Sequence, residues 1–252
     1  MTILDVTSLS KSFGAVVAAT DINVKVNEGE IVSVIGANGA GKTTFINMVT
    51  GYLKPNSGKI KYIDKDITGL SPKNITNLGV RRSFQVAQLF PELTTLDNML
   101  IAKDMVGGGK LSWIRRMHSE KEIKCCIDIL TEYGIEKYAD SIVLTIPQGV
   151  RKLLDIAMAM VGDPGLILLD EPTSGVSMDE KFGLMDSVMN VVKKLGSACL
   201  FVEHDMEIVS KYSDRIIAFY DGRIIADGST NEVLDNPDVK EFVIGSELHR
   251  DH

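Results

Sequence analysis

A glycine-rich stretch near the N-terminus has the residue types and spacing needed to hold a phosphate group. Residues 36–44 read G-A-N-G-A-G-K-T-T, and mainly apolar runs precede them at 31–35 and follow them at 45–49. This order predicts a strand, a loop and a helix, which is the setting of a phosphate-binding P-loop. Glycines let such a loop turn with its N–H groups pointing inward, and the first turn of the helix adds the positive end of its dipole.

Two side chains of this stretch add chemistry to the loop. Lys42 supplies a mobile positive charge for the β- and γ-phosphates of a nucleotide, and Thr43 offers a hydroxyl group to Mg²⁺. A glycine-rich turn that binds nothing is the alternative, but all four fixed positions of the pattern are filled. We therefore predict nucleotide contacts from the whole stretch, which comprises Gly36, Ala37, Asn38, Gly39, Ala40, Gly41, Lys42, Thr43 and Thr44.

Two carboxylates later in the chain could complete such a site. Asp170 and Glu171 follow four consecutive aliphatic residues. Such a run is typical of a strand buried on both faces, and the ligands of an open α/β sheet lie at the carboxyl ends of its strands. We expect Asp170 to hold Mg²⁺ through water and Glu171 to polarise the water that attacks the γ-phosphate. The alternative is that both acids cap a helix.

Three further residues become candidate site residues only because these motifs are also present. Gln85 follows a strand predicted at 80–84, and His204 follows one predicted at 198–202. A lone glutamine is usually a surface residue, and a lone histidine at a strand end is usually structural. Phe13 is predicted on a loop within an N-terminal β unit, where it could stack on a base or belong to the core.

Composition narrows the class of protein. Of 252 residues, 44% are hydrophobic and 24% are charged, as in ordinary globular domains. A net charge of −7 argues against nucleic acid as a partner, and three cysteines without metal-ligand spacing suggest a reducing, cytosolic setting. The sequence has neither an apolar run long enough to cross a bilayer nor an N-terminal export signal, so we expect any membrane role to require docking onto another subunit.

Periodic patterns predict the elements that position these residues. The first thirty residues alternate apolar and polar types, which is typical of an antiparallel β unit. Residues 86–161 have helical periodicity, with one helix predicted from about 119 to 133. A later helix should end at Leu195, and a final hairpin should turn at residues 221–222.

The helical part contains a basic region. Residues 102–124 carry six Lys or Arg against three Asp or Glu, and they include three consecutive glycines at 107–109. A solvated helix face is the simpler interpretation, and a docking surface near a membrane partner is the alternative.

The order of these motifs resembles that of the nucleotide-binding subunit of ATP-binding cassette (ABC) transporters, over essentially the whole chain. Residues 36–43 match the family's Walker A motif, Gln85 its Q-loop, residues 166–171 its Walker B motif with the following glutamate, and His204 its switch histidine. The resemblance implies that Phe13 stacks on adenine and that Gln85 joins Thr43 and Asp170 in holding Mg²⁺. It implies an ATPase that uses Gln85, Glu171 and His204 for hydrolysis.

The resemblance also implies a fold. That fold is an α/β P-loop NTPase, with a RecA-like core, an antiparallel β subdomain and an inserted α-helical subdomain. Residues 1–252 would form a single ABC ATPase domain, in which 1–85 and 162–252 are the RecA-like and β lobe and 86–161 are the helical subdomain.

Finer features resemble the subfamily that energises uptake of branched-chain amino acids and related amides. They are the insert around 107–117, the sequence F-V-E-H-D-M at 201–206 and the sequence N-P-D-V at 236–239. In that subfamily two non-identical ATPase subunits pair beneath two transmembrane permease subunits, which a periplasmic solute-binding protein feeds. The chain would then be cytoplasmic, and permease subunits would hold it at the inner face of the cell membrane.

One motif departs from the family. Counting back from Asp170, the signature L-S-G-G-Q falls on I-P-Q-G-V at 146–150, and only Gly149 is retained as a nucleotide contact. In the family this loop opens a helix that is presented across a dimer to the γ-phosphate on the partner's P-loop. Pro147 has neither the serine hydroxyl nor a backbone N–H, and Gln148 places a side chain where glycine allows close approach.

This departure predicts a weakened composite site. Losing one hydrogen bond to a charged phosphate costs about 1.5 to 3 kcal/mol. Arg151 and Lys152 are expected to restore part of the positive charge. Ser177, at the position of the family's D-loop aspartate, is a second departure on the same dimer interface.

We therefore expect a heterodimer with functional asymmetry. This chain would supply a complete Walker A motif, Glu171 and His204, and another subunit would supply an intact signature. Two other functions are compatible with the motifs: a soluble ABC ATPase outside transport, and a regulatory nucleotide-binding subunit with little hydrolysis. The length of the chain disfavours the first, and the retained Glu171 and His204 disfavour the second.

Overall fold

A computed structural model of the protein describes residues 1–83, 88–106 and 119–245. Within these ranges the strands are β1 (Thr2–Phe13), β2 (Val16–Asn27), β3 (Ile31–Gly36), β4 (Ser57–Tyr62), β5 (Lys65–Asp66), β6 (Val80–Ser83), β7 (Leu166–Asp170), β8 (Ala198–Val202), β9 (Arg215–Tyr220) and β10 (Arg223–Gly228). One sheet has the order β2-β1-β4-β5 and is antiparallel. The other has the order β10-β9-β3-β8-β7-β6 and is parallel except for β10.

The apolar runs of the sequence form the centre of the six-stranded sheet. Every residue of β3, β7 and β8 is buried, because helices and the antiparallel sheet cover the two faces. These strands are parallel neighbours, so their carboxyl ends lie at one edge of the sheet. The P-loop, Asp170 and His204 follow those ends, and the fold therefore brings them together.

Helices connect the strands, and local sequence signals set their bounds. Ser71 and Ser119 each accept an N–H of the first turn of the helix that follows them, and the helix that ends at Leu195 stops before Gly196 at φ 66°. The helices are α1 (Lys42–Val49), α2 (Pro72–Asn77), α3 (Thr95–Val106), α4 (Glu120–Glu132), α5 (Gln148–Met160), α6 (Met178–Leu195), α7 (Met206–Tyr212), α8 (Thr230–Asp235) and α9 (Pro237–Val239), with short 3₁₀ turns at Glu136–Tyr138 and Val143–Thr145 and a π-turn at Lys240–Ile244.

Two hydrophobic cores lie on opposite faces of the six-stranded sheet. Ile31 and Ile35 of β3 face the core formed with α3 to α6, whereas Val32 and Val34 face the core formed with α1 and the antiparallel sheet. This alternation follows from the period of two along a strand. The molecule therefore has three layers, with the parallel sheet in the middle.

Most predicted elements are confirmed within the described residues. The N-terminal antiparallel unit, the helix from 120 to 132 and the hairpin that turns at 221–222 are present. Gln85 and the glycines at 107–109 lie outside the described residues. No helix in the described part of the chain is both long and apolar enough to cross a membrane.

Candidate nucleotide-binding site

The P-loop connects β3 to α1 through glycines with positive φ. Gly39 has φ 84° and Gly41 has φ 102°, a region that L side chains rarely adopt. A Cβ atom at Gly41 would lie 2.6 Å from the carbonyl oxygen of Ala18, whereas one at Gly39 would meet nothing within 4 Å. Packing against β2 therefore requires glycine at 41, and the backbone at 39 faces open space that a phosphate could enter.

Lys42 reaches back into this loop. Its side chain is 6% exposed, and its Nζ donates to the carbonyl oxygens of Gly36 and, at 3.1 Å, Ala37. The adjacent Thr43 is exposed, and Thr44 is half-buried. The loop thus holds a cation at its centre and presents a hydroxyl group at the start of α1, which is the donor set that a nucleotide phosphate and Mg²⁺ require.

Asp170 ends β7 in a buried ion pair. Arg82 on β6 donates from Nη2 to Asp170 Oδ2 at 2.6 Å and from Nη1 to Asn47 Oδ1 on α1, also at 2.6 Å. β6 and β7 are parallel, and Arg82 is paired with Leu168, which places it diagonally opposite Asp170. Arg82 supplies a cationic partner for this buried carboxylate.

The carboxylate chemistry of Asp170 nevertheless suits Mg²⁺. It lies at the same sheet edge as Thr43, and hard oxygen ligands of this kind bind Mg²⁺ together with phosphate oxygens. The sequence analysis assigned no role to Arg82. The only signal for one was a pair of arginines inside a short predicted strand.

Lys152 corrects an expectation from the sequence. It was expected to restore positive charge to the signature, but it is buried, and its Nζ lies 3.5 Å from the carbonyl oxygen of Asp170. The reason is helical geometry, since Lys152 lies on the face of α5 that packs on the sheet. Burial lowers the pKa of Lys152, and the nearby charges of Asp155, Asp170, Glu203 and Glu171 oppose that shift.

Glu171 and His204 meet at the ends of neighbouring strands. His204 Nε2 lies 3.3 Å from Glu171 Oε1, and the two side chains are 32% and 23% exposed. The Glu171 N–H donates to the carbonyl oxygen of Val202 at 3.0 Å, which extends the pairing of β7 and β8 by one residue. Glu171 has φ 47°, an unusual backbone conformation for a non-glycine residue that is typical of functional positions.

A buried carboxylate that the sequence analysis missed lies beneath this pair. Glu203 is 4% exposed, and its Oε1 accepts from the N–H of Thr173 at 2.8 Å and from its hydroxyl at 2.7 Å. Its Oε2 accepts from the N–H of His204 at 3.1 Å. The sequence did carry a signal, because Glu203 follows an apolar strand as Asp170 ends one.

The degenerate signature opens α5 at the surface. Pro147 occupies the N-cap position without a side-chain capping bond, and both Pro147 and Gln148 are exposed. The Gln148 side chain lies against Gly175, since a Cβ there would be 2.1 Å from Gln148 Nε2. Gly149 is half-buried beside Val176. The Ser177 hydroxyl donates to Glu180 at 2.8 Å, within its own helix start.

Gln85 itself lies outside the described residues, but both flanks of its segment are held by one side chain. Asp155 on α5 accepts from the Ser83 hydroxyl at 2.6 Å and from the Gln88 N–H at 2.9 Å. Asp155 therefore anchors both flanks of the segment that contains Gln85 to α5, the helix that the signature opens.

Phe13 is the last residue of β1 rather than part of a loop. It is 51% exposed, which excludes the core alternative, and the Lys11 ammonium lies 5.3 Å from its ring centroid. Phe13 pairs with Val16, two residues before Ala18, the residue that contacts Gly41. An exposed aromatic ring at this hairpin end is available for stacking.

Together, the fold and the arrangement of P-loop, carboxylates and histidine define a P-loop nucleoside triphosphatase. The family model described as "ABC transporter" matches residues 19–174. The chain belongs to this family, and it is an ABC-type ATPase.

Curated relatives match along nearly their whole length. The "Probable branched-chain amino acid transport ATP-binding protein LivG" of Archaeoglobus fulgidus is 37% identical, over 98% of this chain and 97% of the relative. The "High-affinity branched-chain amino acid transport ATP-binding protein BraF" of Pseudomonas aeruginosa is 35% identical, over 96% and 98%. A solved nucleotide-free ATP-binding cassette from an ABC transporter is 31% identical, with a TM-score of 0.85 over 96% of this chain and 98% of that chain.

Proposed function

We propose that this ABC-type ATPase energises the import of branched-chain amino acids or related small polar or amide solutes. The observation that carries hydrolysis is the Glu171–His204 pair, which lies at the strand edge that the P-loop also follows. The support for the solute class is the similarity to branched-chain amino acid transport subunits over nearly the whole chain.

The proposed mechanism assigns a role to each group. The P-loop amides and Lys42 bind the phosphates of ATP, and Phe13 stacks on the adenine. Glu171 orients and polarises the attacking water, while His204 holds the Glu171 carboxylate and contacts the γ-phosphate. When bound, Mg²⁺ neutralises charge on the phosphates; Thr43, Asp170 and Gln85 would hold it.

The proposed partners include transmembrane permease subunits and a solute-binding protein. The helical side of the molecule presents a group of exposed apolar side chains: Phe90, Leu93, Ile142 and Leu144 are 37% to 61% exposed. The Leu93 carbonyl accepts from Val143 and the Pro91 carbonyl from Leu144, so backbone bonds hold this patch together. We propose that residues 86–161 act as the helical subdomain, that this patch docks on a permease, and that the chain is thereby peripheral on the cytoplasmic face.

The proposed ATPase partner is a second, non-identical subunit. Pro147 and Gln148 are exposed at the N-terminus of α5, where an intact signature would present a hydroxyl and free amides. A homodimer would use this weak loop twice, whereas a heterodimer places one intact signature on this chain's ATP.

Glu171→Gln tests the assigned chemistry. The amide keeps the shape of the side chain but cannot act as a base, so turnover should nearly stop while ATP binding persists. The assay is phosphate release by the assembled transporter, with ATP affinity measured in parallel by a fluorescent analogue. Undiminished hydrolysis by this variant would refute the role of Glu171.

A further inference from the structure

Glu203 connects the two loops that carry Glu171 and His204. One carboxylate oxygen takes both donors of Thr173, two residues after Glu171, and the other takes the N–H of His204. All three bonds are between 2.7 and 3.1 Å long, and Glu203 is 4% exposed. The Glu171 N–H bond to the Val202 carbonyl oxygen supplies a third link between the same two segments, beside the two bonds from Thr173.

We infer that Glu203 is a positioning residue for ATP hydrolysis, which sets the separation of the Glu171 carboxylate and the His204 imidazole. The inference rests on the roles proposed for those two residues. Its physical basis is that a buried carboxylate with three donors forms stronger, more directional bonds than a neutral side chain would. Because Glu203 lies in the loop that carries His204 and accepts from Thr173 in the loop that carries Glu171, a relative shift of the two loops must stretch the Thr173 bonds.

A purely structural role would have a different signature. A carboxylate that only stabilised the fold would lower the unfolding temperature without changing the turnover of the folded protein. A positioning carboxylate changes kcat while leaving ATP affinity intact, because the P-loop follows β3 and the hydrogen bonds of Glu203 go to Thr173 and His204 instead. It also acts through His204, so its effect should shrink when the imidazole is gone.

Glu203→Gln is the informative variant. The amide retains one carbonyl oxygen, so it can accept from Thr173 or from His204 but not from both, and its NH₂ group faces a donor on the other side. We expect kcat of the assembled transporter to fall about tenfold to a hundredfold, the range for losing a hydrogen bond to a charged group. The ATP Kd should change less than about twofold.

The decisive measurement is a double-mutant cycle with His204→Ala. We expect Glu203→Gln to lower kcat about tenfold or more in the wild type and less than threefold in the His204→Ala background. An equal fold-loss in both backgrounds, or an unchanged kcat with only a lower unfolding temperature, would overturn the inference. Should Glu203→Gln fail to fold, Thr173→Val, which removes only the hydroxyl donor, enters the same cycle with the same expected coupling.

Glu232 offers a matched control. It accepts from the N–H of Ser229 at 3.0 Å and from its hydroxyl at 2.7 Å, as Glu203 does from Thr173, but it is an exposed helix cap. Glu232→Gln should leave kcat unchanged. Glu171→Gln is measured in the same assay: if it retains full turnover, the proposed function of the site fails, whereas if it stops turnover and Glu203→Gln does not, only the positioning role fails.

Discussion

At the scale of single residues, the site is held together by buried charges that find partners across the sheet. Arg82 and Asp170 have side chains that are 8% and 10% exposed, and both would be costly to bury alone. Their pairing joins β6 to β7, and the bond to Asn47 extends it to the P-loop helix. The carboxylate expected to serve Mg²⁺ is thus held by a cation of the protein itself.

Breaking this pair should be strongly destabilising. Arg82→Met leaves Asp170 buried without its cation, and we expect the free energy of unfolding to fall by about 3 to 5 kcal/mol. Lys240→Met removes the Lys240–Asp235 pair, whose side chains are 55% and 79% exposed, and should leave the free energy of unfolding nearly unchanged because solvent screens this pair. Urea denaturation without nucleotide measures both. Equal losses in the free energy of unfolding would show that burial does not increase the contribution of the Arg82–Asp170 pair to stability.

The glycine at 41 should be intolerant of even one added carbon. Gly41→Ala must adopt φ 102° and place Cβ 2.6 Å from the Ala18 carbonyl, so we expect lost stability and at least tenfold weaker ATP binding. Gly134→Ala, at φ 68° with nothing within 4 Å, has only the backbone strain and should cost about 1 to 2 kcal/mol without affecting ATP. Equal ATP affinity in both variants would contradict a role in nucleotide binding for the close approach between Gly41 and the Ala18 carbonyl.

These residues also show which parts of the site could be predicted from the sequence. Asp170 and Glu171 were predictable because an all-apolar run fixes a central strand and its end. Arg82 and Glu203 were not assigned, since their partners depend on the register between strands that are distant in sequence. The expectation that Lys152 restores positive charge to the signature was wrong for a similar reason. Its charge is visible in the sequence, but the face of α5 that it occupies depends on packing.

At the scale of elements, α5 links the signature to the rest of the site. Its N-terminus carries Pro147 and Gln148 at the surface, its middle places Lys152 beneath Asp170, and Asp155 holds both flanks of the segment containing Gln85. A shift of α5 would therefore displace both the signature residues at its N-terminus and the flanks of the segment that contains Gln85. The resemblance implied that the signature loop opens a helix, and α5 begins at Gln148.

Asp155→Ala tests this link. It leaves the buried Ser83 hydroxyl without its acceptor, so we expect about 1 to 3 kcal/mol of lost stability. The Gln88 amide loses its partner as well and should exchange faster with solvent. Substitution of the exposed Asp128 by Ala is the control and should change neither quantity. Unaltered exchange at Gln88 in Asp155→Ala would contradict the proposed anchoring.

At the scale of the whole molecule, the residues that match the family motifs and the residues that depart from them lie on different elements. The P-loop, Glu171 and His204 are gathered at one sheet edge, whereas the altered signature is exposed at the start of α5. Motif order predicted which elements carry these residues. It could not predict that the Gln148 side chain, at the start of α5, lies on Gly175 in the loop after β7.

Restoring the signature should improve a self-paired chain. Pro147→Ser with Gln148→Gly returns a hydroxyl, a backbone N–H and a side-chain-free approach. We expect the ATPase rate of the isolated chain to rise about tenfold to a hundredfold, the range for regaining one hydrogen bond to a charged phosphate. The same substitutions made with Glu171→Gln should give no gain, because the attacking water is then not activated. No change in the otherwise wild-type background would refute the proposed defect.

Functional asymmetry is tested most directly by the ATPase rate of this chain alone and after mixing with its non-identical partner subunit. If this chain supplies a competent P-loop, Glu171 and His204 but a weak signature, the isolated chain should hydrolyse ATP slowly. The ATPase rate of the mixture should then be at least tenfold higher than the sum of the rates of the two separate subunits. The partner carrying an alanine in its signature serine should abolish that gain. Full activity of this chain alone, unaffected by the partner, would contradict functional asymmetry.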